Sequence, residues 1–221
     1  MKRLVELKTN EYYHVFNKSI AKFVIFNSDD EYQRMVRTLL YYQTAKRGCS
    51  LSDFLRLNKA NKNKLDALLS STPKEQTSWI KIIAFCLMPT HIHLLLRQNL
   101  ENGISIFMSN ALNSYACYFN KKHKREGPLW TGRFKAVHIE TDDQLWHVSR
   151  YIHLNPTTAN LVKRPELWKY SSYPRYIKTE RSKFSLPTTS VFDCTPKEYQ
   201  KFVENQISYQ KQLTIIQHLT L

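Results

Sequence analysis

Two histidines with one apolar residue between them, His91 and His93, stand in the run MPTHIHLLL at 88–96. On an extended strand, residues i and i+2 project from the same face. Both imidazoles therefore stand side by side, with Ile92 turned the other way. Two neutral imidazoles so placed can share one divalent metal. They equally suit ordinary strand histidines that are hydrogen-bonded or face solvent, and two nitrogens are too few for a well-held ion, so a further donor is required. A second group lies in RYIHLNP at 150–156. Tyr151 and Asn155 are four residues apart, on one face of a helix, and His147, four before Tyr151, extends the same stripe. A tyrosine oxygen can attack a phosphodiester and store the bond as a phosphotyrosine while a 3′-hydroxyl leaves. The ordinary phenol pKa, near 10, makes it a weak nucleophile at neutral pH, so a metal must polarise the phosphate or a neighbour must take the proton. Asn155 can add an amide oxygen to the imidazoles. A structural role suits the same residues: Tyr151 in a core, and Asn155 capping a helix that begins at Pro156.

The chain around these residues is basic. Its 221 residues carry 33 Lys and Arg against 18 Asp and Glu, a formal net charge of +15. Such a surplus attracts polyanions, with nucleic acid first among them, although it also serves solubility. KKHKREGPLWTGRFK, at 121–135, gathers Lys121, Lys122, Lys124, Arg125, Arg133 and Lys135 around Trp130. Cations there would neutralise phosphates and an aromatic ring could stack on an unpaired base; alternatively this is a solvated helix end with Trp130 packed inside. Arg150, beside the tyrosine, could neutralise a scissile phosphate or point away, and His147 could relay a proton or simply pack. No apolar run is long enough for an ordinary transmembrane helix, and the start MKRLVELKTNEYY lacks a signal-peptide core. The four cysteines form no CxxC, which fits a reducing cytoplasm and indicates neither a disulfide framework nor a cysteine zinc site.

The elements that must position these residues follow from periodicity and punctuation. EYYHVF at 11–16 reads as a strand in which Tyr12, Tyr13 and His14 suit core or sheet surface. Asn27 or Ser28 can cap a helix with Asp29, Asp30 and Glu31 in its first turn. The segment 45–78 reads as an insertion with short helices of its own. WIKIIAFCLM at 79–88 and HIHLLLRQ form two antiparallel strands about Pro89-Thr90, and a long amphipathic helix follows Asn102-Gly103. FKAVHIE is a further strand. Thr141 to Gln144 is a capping box opening a helix through about Leu154, and Thr195 to Glu198 is a second, ahead of Tyr199, Phe202 and Val203. The last helix suits a packing element, or a tail folding back across the site to regulate access. The order β-α-β-β-α-β is the ferredoxin-like split pattern of an α+β fold, an antiparallel sheet with two helices on one face. Its other face is left for a site or for the additional helices. The domains expected are 1–175, with 45–78 inserted, and a C-terminal extension at 176–221.

MPTHIHLLL, PLWTGRFK, RYIHLNP and WKYSSYPRY, in that order, resemble the Y1 HUH transposases of the IS200/IS605 type, nearest to the REP-associated branch. The resemblance spans about residues 11–175. It implies an HUH endonuclease fold and a metal-dependent single-stranded DNA endonuclease and strand-transferase. It also implies that His91 and His93 bind the metal, Mg²⁺ or Mn²⁺, that Asn155 is the third ligand, and that Tyr151 joins the 5′ phosphate. The implied partner is single-stranded or hairpin DNA, bound by a cytoplasmic, nucleoid-associated chain, with a monomer favoured over a homodimer. Asn17-Lys18-Ser19 replaces the family's Asn-Arg-Gly loop, and Thr90 stands where asparagine usually precedes the first histidine. The rival reading on the same fold is a non-catalytic regulator that binds structured DNA or RNA.

Overall fold

The computed structural model describes residues 5–45, 48–57, 75–177 and 191–207. β1 (Tyr12–Lys18) leads to α1 (Asp29–Gln43) and a short α2 (Leu51–Leu57). β2 (Ile80–Met88) and β3 (His91–Gln98) form a hairpin, then come α3 (Gly103–Lys122) and β4 (Lys135–Ile139). α4 (Asp142–Thr158), a single turn α5 (Tyr173–Tyr176) and α6 (Pro196–Glu204) complete the described chain. The strands lie in the order β2-β3-β1-β4, every pair antiparallel, which is the ferredoxin-like arrangement expected of the β-α-β-β-α-β order.

Alternation along the strands divides the chain into two packed faces. Tyr13 and Val15 of β1, with Ile92, Leu94 and Leu96 of β3, turn toward α1 and α3 and are fully buried. The opposite face of β2 and β3, through Ala84, Cys86, Met88 and Leu95, packs against Leu145, Ile152 and Leu154 of α4 and against α5 and α6. A bulge between Ile82 and Ala84 keeps this assignment in register. It places Ile82 on the α1/α3 side while Ile83 and Ala84 both serve the second core. The outer half of that second face, over β1 and β4, is covered only at one end, where Ile139 is buried and Tyr12 packs beside it; Val137 at its middle is 53% exposed.

Local signals account for the helix starts. Three acids in the first turn of α1 follow Ser28 as N-cap. Thr141 accepts the Gln144 N–H at the head of α4, and Thr195 and Glu198 form a complete capping box on α6. Gly103 opens α3 where any Cβ would lie 2.2 Å from the Trp79 carbonyl oxygen, so only glycine fits. Two expectations are corrected. α4 does not stop near Leu154 but runs to Thr158, with Pro156 inside it. Proline here removes only the bond to the Ile152 carbonyl, in the last turn, where its loss is tolerated; Asn155 is thus within a helix and caps none. Within the 45–78 segment, α2 bears out a short helix; residues 58–74, like 178–190 and 208–221 of the C-terminal extension, lie outside the described residues.

Candidate active site

The uncovered half-face is floored by three imidazoles from two strands. β1 and β3 pair so that Phe16 lies opposite His93 and Lys18 opposite His91. His14, one pleat along from Phe16, therefore shares their face. His91 and His93 have ring centroids 5.0 Å apart, and His14 and His93 are stacked at 5.2 Å. His14 Nε2 and His93 Nδ1 are hydrogen-bonded at 3.0 Å, and His91 Nδ1 is bonded to Thr90 Oγ1, also at 3.0 Å. Each of the two HxH rings thus has its Nδ1 fixed by the chain, which leaves Nε2 as the edge it can offer.

α4 brings the tyrosine to this floor. The Tyr151 ring, 42% exposed, meets His93 edge-on at 5.6 Å and His14 at 5.8 Å between centroids. One turn on, the Asn155 side chain lies close enough to His91 to raise the pKa of its ring, and Asn155 Nδ2 is buried with no partner. The set predicted from the sequence, His91, His93, Asn155 and Tyr151, is brought together here from two separate elements.

Burial sets the charge state of the floor. Desolvation lowers His14 to a pKa of about 4. His91 also falls to about 4, by burial first and then by the nearby Lys18 charge, against a smaller opposing effect from Asn155. His93 lies well below its ordinary value through burial, with His14, His91 and Lys18 adding to it. All three rings are neutral at pH 7, which is the protonation state a metal ligand needs. Among the described residues no three His, Cys, Asp or Glu side chains are arranged to hold an ion. Beside the His91 ring, Asn155 with its unsatisfied buried nitrogen is an amide within reach of the same floor. Two imidazoles and an amide oxygen suit a hard to borderline divalent cation.

The remaining predicted residues are more scattered. Arg150 turns to the flank of α4, its guanidinium 4.5 Å over the Phe202 ring and donating to His147 Nδ1 at 2.7 Å. His147 also approaches Asp143, so neither reaches the imidazole floor. Trp130 is buried, and its indole N–H donates to the Leu112 carbonyl, so the ring belongs to the core and is withheld from stacking. Lys122 pairs with the buried Glu31 at 2.9 Å, and Arg125 donates to the carbonyls of Gly127 and Pro128. Lys121, Lys124, Arg133 and Lys135 are exposed, and Lys135 lies opposite Phe16 at the rim of the floor. Two residues of the site were not singled out from the sequence. In the sequence His14 suits core or sheet surface, and Lys18 marks only a departure in a loop; strand register alone assigns both.

Residues 55–155, a span that includes both histidines, Tyr151 and Asn155, match the Y1 transposase family model, described as Transposase IS200 like. A curated relative from Haemophilus influenzae, named as a REP-associated tyrosine transposase, is 32% identical over 108 residues. That match covers 44% of this chain and 61% of the relative, so the chain spans under two thirds of the relative's length. Among solved structures, a REP-associated tyrosine transposase bound to a REP hairpin aligns over 88% of this chain and 96% of its own. Its TM-score is 0.51 at 14% identity, a likeness of fold. That likeness of fold extends beyond the segment that the sequence match covers. No helix among the described residues is long and apolar enough to cross a membrane.

Proposed function

We propose that this chain is a single-tyrosine DNA endonuclease and strand-transferase acting on hairpin-bearing single-stranded DNA with a divalent metal, Mg²⁺ or Mn²⁺. The observation that carries the reading is the edge of Tyr151 set against His93 and His14, with Asn155 on the same helix beside His91. His91, His93 and Asn155 would hold the metal, which supplies charge to polarise a phosphate. Tyr151 oxygen forms a bond to phosphorus and loses its proton to solvent, the bond from phosphorus to the 3′ oxygen breaks, and that oxygen leaves as a 3′-hydroxyl. The 5′-phosphotyrosine is resolved in reverse: a DNA 3′-hydroxyl attacks phosphorus and the tyrosine oxygen regains a proton. Lys18 and Lys135 flank the floor and would neutralise phosphates of the bound strand. Tyr151 meets the histidines of its own chain, which supports a monomer with its site in cis. The same reading takes residues 1–175 as the catalytic domain and 176–221 as an extension.

A covalent-trapping assay tests the proposal. Wild type and Tyr151→Phe are incubated with Mn²⁺ and single-stranded hairpin oligonucleotides from DNA flanking the gene, then resolved on a denaturing gel. The expected result is a metal-dependent adduct that maps to Tyr151 and is absent from the variant. Cleavage with no adduct would replace the reading with hydrolysis by water. Tight, metal-independent binding without cleavage would replace it with the non-catalytic binding protein.

A further inference from the structure

Behind the tyrosine runs a buried polar chain that the chemistry above does not use. Ser149 and His153 lie two residues to either side of Tyr151, which puts both on the opposite flank of α4, and both are fully buried. The Tyr199 hydroxyl of α6, itself 1% exposed, stands between them. It donates to Ser149 Oγ at 3.0 Å, and Ser149 donates to the Trp146 carbonyl at 2.7 Å. The Tyr199 oxygen is therefore left to accept from His153 Nδ1 at 2.8 Å. That fixes the tautomer, so His153 Nε2 accepts from Ser172 Oγ at 2.7 Å. Ser172 in turn accepts the Phe85 N–H of β2 at 2.9 Å. The Ser172 hydroxyl also lies 3.3 Å from the Phe85 carbonyl, a longer contact than the 2.7 Å to His153; with the shorter bond made, each hydroxyl has one donor and one acceptor role and donation runs one way from β2 to α4.

Apolar packing alone would hold α4 against the sheet at a range of rotations. A buried chain with fixed donor order is satisfied at one, because each unmade bond leaves a desolvated group. Helix α6 adds to this from the side by placing Phe202 beneath Arg150, the residue before the tyrosine. With a side chain reaching about 5–6 Å from the helix axis, a rotation of about 10° displaces its tip by about 1 Å. A displacement of that size can cost roughly a hundredfold in rate.

We infer that Tyr199 is a positioning residue for Tyr151: through Ser149 and His153 its buried hydroxyl sets the rotation of α4, and so where the nucleophilic oxygen stands over the imidazoles. The device comes from a helix outside residues 55–155, the segment matched to the family. The inference rests on Tyr151 being the nucleophile, and its test has one arm that does not.

3-Fluorotyrosine is placed at position 151 alone in the full chain, and its ¹⁹F resonance is recorded without DNA or metal in wild type and in Tyr199→Phe. Single-turnover adduct formation with the hairpin oligonucleotide is then timed in unlabelled wild type, Tyr199→Phe and Tyr151→Phe, well below the melting temperature of each. The expected result for Tyr199→Phe is a shifted or broadened resonance and an adduct rate roughly ten- to a hundredfold lower, with oligonucleotide Kd within about twofold. An unchanged resonance, or a shifted resonance with an unchanged rate, overturns the inference. An adduct that persists in Tyr151→Phe overturns the nucleophile assignment instead, and the fluorine spectrum still decides whether Tyr199 orders that helix. If Tyr199→Phe does not fold, Ser149→Ala removes the α4 acceptor of the Tyr199 hydroxyl, together with the Ser149 bond to the Trp146 carbonyl, and the same two outcomes are read from it.

Discussion

The two faces of the sheet divide the same strands between stability and chemistry. On β3, Ile92 and Leu94 are sealed beneath α1 and α3, while His91 and His93, one residue away in each direction, look onto a floor left open by the other helices. On β1 the same alternation sets Tyr13 and Val15 against His14 and Phe16. The difference lies in what covers each face. α1 and α3 bury the β1, β2 and β3 side chains of theirs, whereas α4, α5 and α6 pack mainly the β2 and β3 portion of the other, reaching only Ile139 and Tyr12 at its outer end. A rigid strand can then carry ligands because its reverse side is anchored in a close-packed core. This predicts that substitutions one residue apart on β3 separate activity from stability.

The largest effect is expected at His93. His93→Ala should lower the rate of covalent adduct formation by roughly a thousandfold or more, in line with removing a principal transition-state stabiliser, with little change in melting temperature. A large loss of stability there would break the division between faces. Next comes Ile92→Ala, which opens a cavity on the packed side and should cost about 2–5 kcal/mol in urea unfolding. Its adduct rate per folded molecule should stay near wild type; a loss matching that of His93→Ala would mean that the faces are not independent.

The packed face also contains a titrating cluster. Glu31 is buried, and desolvation alone would raise its pKa, but Lys122, the Asn27 N–H and His123 outweigh it and hold the carboxyl at about 2. The folded value lies below the ordinary one of 4.5, so the unfolded chain binds the extra proton. The stabilisation is therefore complete above about pH 4.5 and is lost as pH falls toward about 2, at no more than about 1.4 kcal/mol per pH unit. Denaturation of wild type and Glu31→Gln across that window measures it. Equal slopes would show that Glu31 contributes no such linkage.

How much of this was legible in the sequence depended on how local the information was. His91 with His93, and Tyr151 with Asn155, are placed by strand and helix periods over a few residues, so both pairs could be read directly. So could the Thr141 cap of α4, the capping box of α6, and the element order that gives the fold. His14 could not, because its position beside His93 depends on how β1 and β3 align across the sheet. YYHV gives no cue to that. Trp130 misled for the opposite reason: its basic neighbours suggest an exposed ring, yet its backbone bridges to Ser19 and its indole is drawn to the Leu112 carbonyl. Tyr199 was visible as part of an amphipathic helix, but its docking partners on α4 are 46 and 50 positions away.

His14 offers a finer test of the open face. Its bond to His93 Nδ1 should hold that ring in the tautomer with Nε2 directed outward, a role in which outer partners typically contribute 10–100-fold in metal affinity. His14→Phe keeps a ring against Phe16 and Tyr151 but removes the nitrogen. Mn²⁺ affinity measured by electron paramagnetic resonance should fall by about that factor with the fold intact. Unchanged affinity would reduce His14 to packing.

The smallest effect separates two lysines that look alike in the sequence. Lys122 is spent on Glu31, while Lys18 stands opposite His91, where its charge lowers both HxH imidazoles. If Lys18 neutralises a phosphate of the bound strand, Lys18→Ala should weaken binding of all single-stranded oligonucleotides alike. It should also reduce the slope of log K against log salt by about 0.7, the value for one single-strand phosphate contact. Lys122→Ala should leave that slope near wild type and lower stability instead, since it strands a buried carboxylate. Equal slopes in the two variants would mean that DNA runs along the end of α3 rather than over the imidazole floor, and the path of the strand would have to be redrawn from that helix end.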